Sequence, residues 1–116
     1  MSTRCNIIVR DDKRSFTLYH HCDGYPEGVG LDLYNKFESR LKSEYKIDAV
    51  TVVNELLKDE EDKGYELTRG LHADIEYLYE IDLVFGWIKC KRVSNWENLQ
   101  IIEFIELSDV KPEEIR

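Results

Sequence analysis

Apolar and polar positions alternate in the first and last thirds of this chain and switch to helical spacing between them. Residues 5–10 form a short run rich in isoleucine and valine. Asp11, Asp12 and Lys13 make a polar turn. Residues 15–21 then place Phe16, Leu18 and His20 on one face and Thr17, Tyr19 and His21 on the other, which predicts a β-hairpin. Over residues 31–44, Leu33, Tyr34, Phe37 and Leu41 recur at helical spacing, with Lys36, Glu38, Arg40 and Lys42 outside. A second, shorter helix is predicted over residues 48–58. Asp48 is its N-cap candidate, and Ala49, Val52, Val53, Leu56 and Leu57 form its apolar stripe.

Residues 58–64 are a charged linker that reads as a solvated face. Ile75, Tyr77, Tyr79, Ile81 and Leu83 then give the cleanest period-two run in the chain. Residues 84–86 can turn, 87–93 read as the return strand, and 94–98 are a polar loop. Residues 99–107 read as a third strand, and the end of the chain is polar. The expected fold is therefore α+β in the order ββααβββ, a two-layer sandwich. It comprises an antiparallel sheet of about five strands with two helices on one face. One domain spans residues 1–110, and 111–116 form a polar C-terminal tail. Tyr19, Tyr77, Tyr79, Trp87 and Phe104 are too many aromatics for two short helices to cover, so part of this set is expected to line a second interface or pocket.

Composition narrows the function. With 116 residues and 42% hydrophobic content the chain holds one core, and its small size favours a homo-oligomer. A net charge of −8 repels phosphate backbones and anionic membranes, which disfavours nucleic acid as a partner. Lys89, Lys91 and Arg92 are the one tight basic cluster. No apolar run reaches membrane-spanning length, and no secretory h-region opens the chain. Cys5, Cys22 and Cys90 form no CxxC pair, so a reduced cytoplasmic setting is expected.

Candidate chemistry concentrates in residues 19–30, which carry three of the six glycines, one of the two prolines and two of the three histidines. Tyr25 before Pro26 is biased to extended backbone. Pro26 and Gly28 suit a tight turn, and Gly24 and Gly30 can adopt positive φ. Gly30 is expected to open the helix with its first N–H groups free for an anion, although Asp32 in the first turn competes. On an extended strand, His20 and Cys22 share one face and His21 and Asp23 the other. A His–Asp pair can orient an imidazole or share a metal, but only His72 remains as a further histidine, so no metal or other cofactor is assigned. Cys22 is flanked by His20 and His21, but neighbours on a strand point apart, so no catalytic residue is assigned. The candidate binding residues are His21, Asp23, Gly24, Tyr25, Pro26, Gly28 and Gly30. Their partner would be a small anionic or nucleotide-like ligand, or a protein.

The same run, Tyr19-His20-His21-Cys22-Asp23-Gly24-Tyr25-Pro26-Glu27-Gly28-Val29-Gly30, is similar to a signature of small phage- and prophage-type proteins of unassigned function. That signature reads aromatic-x-H-x-D-G-Y-P-x-G-V-G. Thr3-Arg4-Cys5-Asn6-Ile7 and Ile75-Glu76-Tyr77-Leu78-Tyr79 also resemble it. It matches His21 to the signature histidine and places Cys22 where a larger aromatic often stands. The resemblance implies family membership and, by analogy with phage proteins, an anti-defence role in sequestering a nucleotide signal. The expected function is a non-enzymatic binding protein. The alternative is a small metal-dependent hydrolase or nuclease using His21 and Asp23.

Overall fold

The computed structural model describes residues 3–41, 47–58, 64–72, 74–95 and 100–106. Strand β1, Cys5–Arg10, and strand β2, Ser15–His20, form the expected hairpin, with Cys5 opposite His20 and Arg10 opposite Ser15. The Asp11 carboxylate sets the turn. Its Oδ1 accepts from the backbone N–H groups of Lys13 (2.8 Å) and Arg14 (2.7 Å), a side-chain substitute for a backbone turn. A single π-helical turn, Pro26–Gly30, leads without a break into helix α1, Leu31–Leu41. Helix α2, Ala49–Leu57, begins as its sequence predicts, with the Asp48 side chain accepting from Thr51 N–H at 2.8 Å. Residues 42–44 of the expected first helix lie outside the described residues.

Strands β3, Tyr65–Thr68, β4, Tyr77–Asp82, β5, Trp87–Asn95, and β6, Gln100–Glu106, complete a six-stranded sheet ordered β3-β2-β1-β4-β5-β6. The α+β class and the two helices stand as expected, but the sheet is mixed rather than antiparallel. Strands β1 and β4 pair in parallel, Cys5 beside Tyr77 and Arg10 beside Asp82. Between β1 and β4 the chain passes through β2, both helices and β3, and it enters β4 running in the direction of β1, as parallel pairing requires. The sequence reading also lacks β3. Four residues are too few for a periodic signal, and at this sheet edge Glu66 and Leu67 face solvent. The 75–83 alternation is a strand only from Tyr77 to Asp82, with Ile75 buried in the connection before it.

Register assigns the two faces. Cys5, Ile7, Val9, Leu18, Tyr65, Tyr79, Ile81, Ile88 and Cys90 share one face. They form the core with Val29, Leu33, Phe37, Val52, Val53 and Leu56. Both helices pack on this face, α2 over β1, β2 and β3, and α1 against β5. Tyr77 and Tyr79 therefore belong to the helix side, while Tyr19 and Trp87 lie opposite. Phe104 falls among side chains outside the described set. The basic cluster is dispersed by the same alternation. Lys91 pairs with Glu80 at 2.6 Å and Lys89 lies over the Trp87 ring at 3.9 Å, while Arg92 faces the other way. The tail, 111–116, and most of the charged linker lie outside the described residues.

Candidate functional site

The Gly/Pro loop follows the end of β2, beside the start of β1. Strand β2 stops at His20, so the expected strand alternation does not reach His21–Asp23. His20 turns inward, fully buried, with its ring edge against Tyr65 (centroids 4.7 Å apart) and its Nδ1–H donating to the Cys22 carbonyl. Because a carbonyl can only accept, this contact fixes the His20 tautomer. His21 is exposed.

The loop backbone is tied down at every turn. Gly24 N–H donates to Thr3 O at 2.9 Å, Gly28 N–H to Tyr25 O at 2.9 Å, and Val29 N–H to Asp23 O at 2.8 Å. From the core, the buried Tyr79 hydroxyl donates to Gly24 O at 2.7 Å. Burial raises the Tyr79 phenol pKa far above its ordinary value, so it remains a donor. Neither Gly24 nor Gly30 takes positive φ. That conformation falls instead to Asp23, at φ 53°. The glycines answer to space. A Cβ on Gly28 would stand 2.1 Å from Asp23 O, and one on Gly24 would stand 2.9 Å from Cys5 Cβ.

The expected helix start also shifts. Pro26, which lacks an N–H, occupies the first helical position, and Gly30 is buried inside the helical run rather than opening it. Asp32 does sit in the first turn of α1. Its carboxylate holds the Lys36 ammonium and accepts from the Tyr65 hydroxyl at 2.6 Å. What the loop presents outward is side chains. His21 and Asp23 are exposed, and Tyr25 is 37% exposed with its hydroxyl 3.3 Å from Asp23 Oδ1. The Asp23 charge raises the Tyr25 phenol pKa. Seven candidates thus divide into a rigid frame (Gly24, Pro26, Gly28, Gly30) and a displayed set (His21, Asp23, Tyr25). Among the described residues, no group of three His, Cys, Asp or Glu side chains is arranged to hold a metal ion.

Sequence reasoning missed a second polar cluster, on the face away from the helices. Asn6 is fully buried, its amide donating to Leu18 O and its Oδ1 accepting from His72 N–H, each at 2.8 Å. The His72 ring stacks on Tyr19 at 3.8 Å. The Tyr19 hydroxyl donates to Asp74 at 3.0 Å, and Asp74 pairs with Arg4 at 3.1 Å. Burial, with Asp74 adding to it, raises the Tyr19 pKa. These contacts pin the β3–β4 connection across the sheet. The available signal was Asn6, a polar residue inside an apolar strand run.

The fold and site together define an α+β protein whose mixed sheet carries a clamped Gly/Pro loop with displayed polar and aromatic side chains. No family model, curated protein or solved structure matches the chain. No helix among the described residues is long and apolar enough to cross a membrane.

Proposed function

We propose that this chain is a non-enzymatic binding protein that engages a protein partner through His21, Asp23 and Tyr25 on the clamped loop. The observation that carries this reading is the contrast between an immobilised backbone and an exposed set of side chains. Three loop N–H groups have partners within the chain, which leaves them unavailable to a phosphate and favours side-chain recognition over backbone capture of an anion. A rigid loop loses little entropy on binding. Tyrosine beside a carboxylate and an imidazole offers the mixed apolar and polar contact typical of interface anchors.

A photo-crosslinking residue in place of Tyr25, compared with one at exposed Glu66, tests the surface in the producing cell. The proposal expects a defined protein adduct at position 25 alone, lost with Asp23→Ala. Calorimetry against a nucleotide panel decides the ligand version. Heat abolished by His21→Ala, with no adduct, would replace the protein partner by a nucleotide, as the phage-type resemblance suggests. Sedimentation of the purified chain shows whether the partner is a second copy.

A further inference from the structure

The opposite end of the sheet carries a groove that the loop reading does not use. Strand order reverses between β1 and β4. From β1 the chain builds outward through β2 and β3, then resumes beside β1 with β4 and continues to β5 and β6. Beyond the carboxyl ends of two adjacent parallel strands, at such a reversal, the connections diverge and leave a crevice, the usual ligand position in open α/β sheets. Here the β1–β2 turn, the β4–β5 turn and the start of α2 wall a depression of about 340 Å³ lined by Asp11, Asp12, Ile47, Asp48, Leu83 and Val84. Its lining is half aliphatic and half carboxylate. Val84 in the lining is 41% exposed, and Phe85 beside it is 77% exposed, the most exposed large apolar residue described.

We propose that this groove and Phe85 dock a basic segment of a partner protein, an arginine or lysine entering between the carboxylates with a flanking apolar side chain on Phe85. Charge complementarity selects the occupant. Asp11 and Asp48 are held ionised by the hydrogen bonds they accept, first from Ala49 N–H and from the Thr51 hydroxyl respectively. Asp12 is exposed and has no ion-pair partner among the described residues. After those hydrogen bonds, the charge of Arg14 on the neighbouring arm of the turn adds to the lowering of both pKa values. A long cationic side chain lays its aliphatic stem on Ile47, Leu83 and Val84 while its head meets the carboxylates. Phe85 lies outside the depression, where a small polyamine gains nothing from it and a peptide does.

An array of short peptides permuting basic, acidic, apolar and neutral positions, probed with the labelled full chain, tests this. The expected selection is arginine or lysine flanked by aliphatic residues. Asp12→Lys and Phe85→Ser, both at exposed positions, each weaken the best peptide by about tenfold or more at unchanged melting temperature. Amide shifts on peptide addition are expected at residues 11–12, 47–48 and 83–85. No preference for basic peptides overturns the proposal, as does affinity indifferent to both substitutions. Shifts confined to residues 21–30 overturn it in favour of the loop. Full displacement by spermine with Phe85→Ser silent assigns the groove to a small cation. A dimer dissolved by Phe85→Ser assigns it to a second copy. Because the groove and the loop lie at opposite ends of the sheet, failure of one leaves the other standing.

Discussion

Gly28→Ala isolates what clamps the loop. The added Cβ would sit 2.1 Å from the Asp23 carbonyl oxygen, a backbone atom that also accepts from Val29 N–H. Asp23 already occupies left-handed backbone and cannot swing aside without losing that bond. Forcing a methyl into filled space costs about 1–3 kcal/mol. Breaking the bond to the buried Val29 N–H adds about 1–2 kcal/mol. Alanine returns up to about 1 kcal/mol through its better helix propensity. The net is about 1–5 kcal/mol, set against the roughly 5–15 kcal/mol that holds a domain of this kind together. At about 4 °C per kcal/mol for this length, the melting temperature falls by about 4–20 °C. Thermal denaturation followed by circular dichroism measures it, with Gly70→Ala as the control. Nothing lies within 4 Å of a Cβ on Gly70, so that variant holds or gains slightly. A Gly28→Ala protein that melts at or above wild type would refute the clamp.

Tyr79→Phe removes the donor to Gly24 O and should cost about 1–2 kcal/mol in urea titrations. Because burial raises the Tyr79 pKa in the fold, its contribution is present below the ordinary phenol value of about 10 and is lost as pH rises above it, so Tyr79→Phe should flatten the alkaline limb of stability. Asp11 and Asp48 have lowered pKa values, so their contribution is present above the ordinary carboxylate value of about 4 and is lost as pH falls below it. The double variant Asp11→Asn with Asp48→Asn should flatten the acid limb in pH-dependent melting. Asn6→Ala leaves Leu18 O and His72 N–H without their partner and should cost about 2–4 kcal/mol. Hydrogen exchange should then show lost protection at His72 before the helices loosen.

The parts of this fold that could be read from sequence are those whose cause is local. Asp11 lies within three residues of the Lys13 and Arg14 N–H groups it satisfies, and Asp48 within three of Thr51, so a turn and a helix start follow from the residues themselves. Leu33, Phe37 and Leu41 show helical period without a partner in view. Parallel pairing of β1 with β4 leaves no such trace. Alternation in Tyr77–Asp82 is the same whichever way the neighbouring strand runs, and only the long return path decides it. Adjacent hairpins made an antiparallel sheet the natural expectation, and the error lies in the one pair joined by that path.

The same distinction separates the two surfaces. Residues 19–30 stand out in the sequence because glycine, proline, histidine and aspartate cluster there, and the structure gives them two roles. Gly28 and Gly24 leave room for backbone to pass close, while His21, Asp23 and Tyr25 face out. The groove has no contiguous signal. Asp11 and Asp12 read as an ordinary turn, Asp48 as a cap, and Val84 and Phe85 as a hairpin tip. Each local reading is correct, since Asp11 and Asp48 do perform those tasks. Their common location follows only from β1 and β4 ending side by side, with Asp11 Oδ2 accepting from Ala49 N–H at 2.8 Å to draw in the start of α2. That bond makes groove and fold separable by experiment. Asp11→Asn should loosen α2 against the turn, whereas Asp12→Lys reverses charge at the rim and leaves every described hydrogen bond of the fold in place.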